Sequence, residues 1–337
     1  QAFLMLMDFW AKQLKSSGNW ENYPRFMIKT TASALSWDEW AASNGVKVVN
    51  VPVGFKEIAN IMKKVELKIK IAQDKPVIVD DVLGNPINLG INPRLVFAGE
   101  ESGGMIMGTE ELIKSKHGRC AVAMREKSAT EAIIVASALV AKLGDKSLSD
   151  YLIEVFEENN IIGRFDTRVD IAYYNESEPD INKLKADKLA GEEKRTLNDI
   201  FYLSMAIALR EKAVELHDII KILNDKFASN GLSFNNLKNV KFVGDGTYLE
   251  FDNKYIEIRP SGTDAKTKAY GGGLNKEDIE HYASVLGNYS GERTKMHKSI
   301  IPDDCYNNAK EKAMKYYLAF VDKDANNEAF GIPEYDF

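Results

Sequence analysis

An α/β domain with a mixed, mainly parallel sheet covered by helices, followed by an α+β domain with a four-stranded antiparallel sheet and helices, is the fold class that this sequence predicts. Three observations lead there. The chain has 337 residues, enough for about two domains at roughly 150 residues each. Strand-like and helix-like periods alternate in its first part, whereas short strands follow one another across hairpin turns from Val240 onward. Hydrophobic residues at 45% and charged residues at 28% match a soluble globular protein, so disordered and collagen-like classes drop out.

Phe3, Leu4, Met7, Trp10, Ala11 and Leu14 recur at helical spacing up to Gly18, so a buried helix opens the chain. Arg25 to Thr31 reads as a strand, Leu35 to Ser43 as a helix stopped by Asn44 and Gly45, and Val46 to Val51 as a second strand. Phe55, Ile58, Ala59 and Met62 mark a helical face after Gly54. Residues 67–92 read as an inserted β-hairpin, from the alternation of Leu67, Ile69 and Ile71, then Val77 to Val79, around the turn residues Gly84, Asn85 and Pro86. Leu95 to Ala98 is a buried strand running into a glycine-rich loop. Ser128 with Glu131 forms a capping-box pattern before the helix Ala132 to Leu143, and Ser147 opens another helix with Leu148, Tyr151, Leu152, Val155 and Phe156 on one face.

Charge and turn residues dominate from Asn175 to Arg195, which reads as an exposed connection, and a helical stretch follows from Leu197 to about Phe227. Val240 to Val243, Thr247 to Phe251 and Lys254 to Ile258 are strands of an antiparallel meander joined by Gly244-Asp245-Gly246 and Asp252-Asn253. Lys266 to Tyr270 adds a fourth strand, Asn275 caps a helix to about Leu286, and Asp303 to Val321 is a last helix. The expected organisation is a first domain over 1–174, a connection over 175–215 and a second domain over 216–337.

Lys and Arg number 44 against 50 Asp and Glu, a net charge of −6 without long single-sign blocks, which argues against a sequence-independent nucleic-acid binder or an anionic-membrane binder. The apolar runs Ala2 to Met7 and Ala132 to Ala141 are too short to span a bilayer. Cys120 and Cys305 stand far apart with no metal spacing, as expected of reduced thiols in a cytoplasmic protein, with a single disulfide between them as the poorer alternative. Gln1 is not an initiator Met and no signal peptide follows it, so the chain is expected to begin within a longer protein.

The sharpest motif is Arg259-Pro260-Ser261-Gly262-Thr263-Asp264-Ala265-Lys266, between two predicted strands. Arg259 offers a planar fork for two phosphate oxygens, Ser261 and Thr263 offer hydroxyls, Gly262 lets the backbone N–H groups approach an anion, and Lys266 adds a point charge. The same residues also read as an ordinary Pro-Ser-Gly turn with a surface arginine. Gly99-Glu100-Glu101-Ser102-Gly103-Gly104 lies at the carboxyl end of a predicted strand, where open α/β sheets place ligands. Glu100 can accept from sugar hydroxyls and Ser102 can donate or accept, although a plain surface turn accounts for the pattern too.

Arg259 to Lys266 closely resembles the phosphate-binding loop of the α-D-phosphohexomutase superfamily, the phosphoglucomutases and phosphomannomutases, whose usual loop is Arg-Pro-Ser-Gly-Thr-Glu-Pro-Lys. A chance match to its first five residues is on the order of 1 in 10⁴ for a chain this long, at about 1 in 20 per residue. Asp264 and Ala265 depart from the pattern but leave the donors untouched. The loop at Glu100 and Ser102 resembles the sugar-binding loop, and Pro52-Val53-Gly54-Phe55-Lys56 resembles the Gly-Phe-Lys segment before it, with Phe55 read as core and Lys56 as solvated. Lys127-Ser128-Ala129 stands where the family has Lys-Asp-Gly. The resemblance runs from the opening helix to about Tyr270 and implies the third and fourth domains of a four-domain enzyme.

Such an enzyme is an intramolecular phosphotransferase, an isomerase that interconverts hexose 1-phosphate and hexose 6-phosphate through a phosphoserine and a bisphosphate intermediate. The resemblance implies magnesium, a hexose bisphosphate activator, a hexose phosphate substrate, and N-terminal domains 1 and 2 of the same protein as partners. Neither the phosphoserine loop nor the magnesium loop occurs here. Thr31-Ala32-Ser33-Ala34 begins like the former, but lies at a strand-to-helix turn where Ser33 is expected to cap. Asp80-Asp81 and Asp245-Gly246 fall in turns, and His117, His217, His281 and His297 form no pair, so no metal site is assigned. The chain alone is expected to bind substrate without turning it over. A non-catalytic sugar-phosphate binder and an unrelated two-domain scaffold are the other readings.

Overall fold

The computed structural model describes residues 1–72, 74–116, 120–290, 310, 311, 313–315 and 317. The chain divides into two units that meet between Ile162 and Gly163.

In the first unit, α1 (Ala2–Ser16) precedes β1 (Arg25–Thr30), α2 (Leu35–Ser43), β2 (Lys47–Val51) and α3 (Phe55–Ala72). A hairpin of β3 (Val77–Asp80) and β4 (Pro86–Gly90) leads to β5 (Arg94–Gly99), β6 (Met105–Met107), and the short β7 (Ile113–Lys114) and β8 (Cys120–Ala121). Helices α4 (Ala129–Leu143) and α5 (Leu148–Glu158) complete it. The main sheet has the order β2-β1-β5-β6, with β1 parallel to both β2 and β5 and β6 antiparallel. Every residue of β1 and of β5 is buried, as expected of parallel strands covered on both faces. Leu4, Met7 and Ala11 of α1 pack with Trp37, Trp40, Phe97 and Val155. Buried Asp8 ties three helices together, accepting from Trp40 Nε1 at 3.0 Å and Tyr151 Oη at 2.7 Å. Burial first, and then Asp8, push the Tyr151 hydroxyl well above the ordinary tyrosine pKa.

Three details correct the sequence expectation. Leu67, Ile69 and Ile71 continue α3 rather than entering a hairpin strand; Ile58, Met62 and Val65 extend the helical spacing, and no turn-forming residue intervenes. The hairpin occupies only Val77–Asp80 and Pro86–Gly90, and Asp81 closes its turn by accepting from Asn85 N at 2.8 Å. Ser33 does not cap α2, whose N-cap is Ala34 without a side-chain bond. Ser33 Oγ instead lies 2.8 Å from Thr30 Oγ1. Ser128 does cap α4, but Glu131 accepts from Met107 N at 3.0 Å, tying the helix to β6 instead of closing a capping box.

The second unit holds β9 (Phe165–Ala172), α6 (Ile181–Arg210), α7 (Leu216–Phe227), β10 (Leu237–Phe242), β11 (Thr247–Phe251), β12 (Lys254–Pro260), β13 (Lys266–Gly273) and α8 (Lys276–Asn288). Its antiparallel sheet has five strands in the order β10-β11-β12-β13-β9. The expected meander supplies four; β9, from the stretch assigned to the first domain, adds itself to β13. Phe201, Tyr202, Phe227, Phe234, Leu249, Ile256 and Tyr282 share one core.

Residues 181–195 are largely exposed, as expected, but they are helical. Their Lys, Glu, Ala, Leu and Arg residues are good helix formers, and Asp180 starts the helix by accepting from Asn182 N at 2.8 Å. The helical stretch expected to run on to Phe227 breaks at Lys212, which adopts a positive φ of 57°, and α7 restarts with a reciprocal Glu215–Asp218 capping box. Asn275 caps α8 as expected. Of the expected last helix, Lys310, Glu311, Ala313, Met314, Lys315 and Tyr317 are helical, and the rest lies outside the described residues with His117, His297 and Cys305. Among the described residues no helix is long and apolar enough to cross a membrane.

Candidate functional site

The parallel strands of the first unit end in a row, so the segments after β2 and β5 emerge at one margin of the sheet. There the loop after β5 folds back tightly, Glu100 N donating to Gly104 O at 3.0 Å. Glu100 is only 4% exposed, and Lys127 Nζ donates to its Oε1 at 3.2 Å. The same ammonium stands 5.3 Å from the centre of the Phe55 ring. A Cβ at Gly104 would lie 2.8 Å from Glu100 Oε1, 2.9 Å from Phe55 Cδ2 and 3.0 Å from Lys127 Cδ, so glycine is what lets these groups converge. Three separately noted motifs therefore meet at one point.

Glu100 Oε2 has no hydrogen-bond partner among the described residues and is an acceptor available to a ligand. Ser102 is exposed on the same turn and its hydroxyl makes no described hydrogen bond. Glu101 points elsewhere, accepting from Thr30 Oγ1 at 3.1 Å. Phe55 is half-buried against Lys127 rather than fully in the core, because Gly104 leaves room for the ring; Lys56 is solvated, as expected.

In the second unit, β12 and β13 flank residues 261–265. Ser261 N donates to Lys266 O at 2.8 Å, which closes the base of the loop. Within it the N–H groups of Gly262, Thr263 and Asp264 have no acceptor among the described residues. Successive N–H groups of this kind make an anion-receptive concavity. A Cβ at Gly262 would meet nothing within 4 Å, so the fold itself makes no steric demand for glycine there. Ser261 is buried, whereas Gly262 and Thr263 are exposed.

Both predicted cations of the loop have carboxylate partners. Arg259 Nε donates to Asp245 Oδ2 at 2.5 Å, and Lys266 Nζ pairs with Glu176 and lies 3.5 Å from Asp264. Burial opposes the charge on Arg259, but Asp245 more than offsets it and the guanidinium pKa stands above its ordinary value. Asp264 is drawn down to about 2, chiefly by Lys188 Nζ at 2.7 Å and then by the Tyr174 hydroxyl and the Ala265 N–H. Behind the loop, Arg195 Nη1 of α6 donates to Ser261 O and Asp264 O, both at 2.8 Å.

Sequence reading missed three of these roles: Lys127 on Glu100, Asp245 on Arg259, and Arg195 behind the loop. Thr247 pairs with Ile258 across β11 and β12, which carries the Asp245 turn to the end of β12 where Arg259 lies. The two hairpin turns held that signal. Among the described residues no group of three or more His, Cys, Asp or Glu side chains converges to hold a metal ion.

Residues 5–158 match the family described as phosphoglucomutase/phosphomannomutase, alpha/beta/alpha domain III. That stretch of the first unit is a domain III of this kind. A putative phosphomannomutase from Thermus thermophilus is similar at 14% identity and a TM-score of 0.41, covering 84% of this chain and 40% of its own. An N-acetylphosphoglucosamine mutase from Aspergillus fumigatus is similar at 10% identity and a TM-score of 0.40, covering 85% of this chain and 42% of its own. Parafusin, a phosphoglucomutase from Paramecium, is similar at 16% identity and a TM-score of 0.39, covering 96% and 41%. The chain thus spans about two fifths of the length of these solved mutases. No curated protein matches it.

Proposed function

We propose that this chain is the substrate-holding part of a phosphohexomutase acting on hexose 1-phosphate and hexose 6-phosphate. Arg259, Ser261, Gly262, Thr263 and Lys266 grip the phosphate that does not react, while Glu100 and Ser102 take sugar hydroxyls. The observation that carries the reading is the run of three acceptor-free N–H groups at Gly262, Thr263 and Asp264, set beside Arg259 and Lys266. Such groups bind an anion without reorganising, which is the positioning share of phosphoryl transfer. The phosphoserine and magnesium belong to domains 1 and 2 in this reading, and the chain by itself is without mutase activity.

Titration of the purified chain with inorganic phosphate and glucose 1-phosphate, by calorimetry or chemical-shift mapping, tests this. Arg259 alone among the loop residues offers a charge-assisted fork, so Arg259→Ala should weaken both ligands by about 1.5–3 kcal/mol. Phosphate binding that persists undiminished in Arg259→Ala moves the phosphate site elsewhere.

A further inference from the structure

Resting on the phosphate-loop reading above, we infer that Arg195 is a positioning residue that sets the Gly262 N–H of the loop outward and supplies a further positive charge behind it. One nitrogen, Nη1, donates to the carbonyls of both Ser261 and Asp264 at 2.8 Å. No peptide bond in the described chain is cis, and in a trans peptide the carbonyl and the following N–H point in opposite directions. Drawing the Ser261 carbonyl toward α6 therefore turns the Gly262 N–H away from α6. Drawing in the Asp264 carbonyl does the same to the Ala265 N–H, which Asp264 Oδ1 accepts at 3.0 Å.

The helix is built to come this close. One turn before Arg195, a Cβ at Gly191 would lie 3.0 Å from Tyr173 O and 3.2 Å from Ala265 Cβ, so a larger residue there would push α6 off the loop. Arg259 and Lys266 face carboxylates, but the bonds of Arg195 go to neutral carbonyls, and it has no carboxylate partner among the described residues. With no carboxylate bound to it, the guanidinium favours an anion on the far side of the loop.

The test compares Arg195→Gln and Arg195→Lys with the wild-type chain, using inorganic phosphate and glucose 1-phosphate as probes, together with ¹⁵N shifts of Gly262 and Ala265 in ligand-free protein. Arg195→Gln should weaken phosphate by about tenfold or more and shift both amides without ligand. Lys should rescue most of the affinity, because a single nitrogen carries both bonds and the charge is kept. Thermal midpoints should change little in either variant. If the wild type binds phosphate and Arg195→Gln binds equally well with unmoved amides, the role of Arg195 is wrong and the phosphate loop stands. A wild type that binds neither probe removes the phosphate reading itself; unmoved amides in both variants would overturn the positioning role whether or not ligand binds.

Discussion

Lys127 donates to the buried carboxylate of Glu100 across 3.2 Å, joining the loop after β5 to the segment that opens α4. The ammonium occupies one carboxylate oxygen and leaves the other, so Glu100 is oriented while retaining an acceptor. A ligand hydroxyl that reaches Oε2 therefore finds a fixed partner.

Glu100→Ala should weaken glucose 1-phosphate by about tenfold while leaving inorganic phosphate unchanged, since free phosphate has no sugar hydroxyls. Lys127→Met should give a smaller loss with the same selectivity. Parallel titrations of both ligands check this; equal losses for both would remove the sugar assignment.

Asp245 holds Arg259 by Nε, and its negative charge also opposes an incoming anion. Asp245→Asn keeps an oxygen that can accept from Nε and removes the charge. Phosphate binding should tighten by about threefold to tenfold at low salt, with the gain shrinking as salt screens it. Titrations at two ionic strengths decide; weaker binding in Asp245→Asn would mean that the charge on Asp245 is needed to hold Arg259.

Asp264 should titrate near its folded pKa of about 2, below the roughly 3.9 of an unfolded aspartate. Because the folded value is the lower one, the stabilisation is complete above about pH 4 and is lost as pH falls through 2. Lys188→Met removes the largest cause and should move the midpoint upward toward 3.9, as read by carboxyl ¹³C shifts. The energy involved is small, because Lys188 is partly solvent-exposed and the pair is screened.

Asp8→Ala removes the buried acceptor shared by Trp40 and Tyr151. The first unit should lose about 3 kcal/mol, seen as a lower denaturation midpoint with unchanged denaturant dependence. A loss below about 0.5 kcal/mol would show that water replaces the carboxylate.

Much of the first unit was legible because its elements carry their own punctuation. Leu4, Met7, Ala11 and Leu14 define α1 by spacing, and Asn44 and Gly45 stop α2. Glu100 and the loop from Arg259 to Lys266 stand out in the sequence because reactive side chains there are combined with glycine. Strand β9 was not assigned although Asp166, Arg168 and Asp170 alternate with Thr167, Val169 and Ile171, because its partner β13 lies far along the chain and no hairpin turn announces the pairing. The first turns of α6 escaped because a charged helix face looks like a solvated linker when only composition is weighed. Lys127, Asp245 and Arg195 could not be assigned before the fold was known, since each acts on a residue brought near by strand register or helix packing.

The pairing of β9 with β13 joins residues nearly a hundred positions apart, Ile171 to Thr267 among them. A contact of that span forms late, after the intervening helices and hairpins have shortened the loop it must close. Until then β13, with Gly271, Gly272 and Gly273 in succession, is an open sheet edge able to recruit a strand from another molecule. A fragment started at residue 175, where charge and turn residues suggest a natural cut, would leave that edge open permanently and invite aggregation. One started at Gly163 carries its own protecting strand.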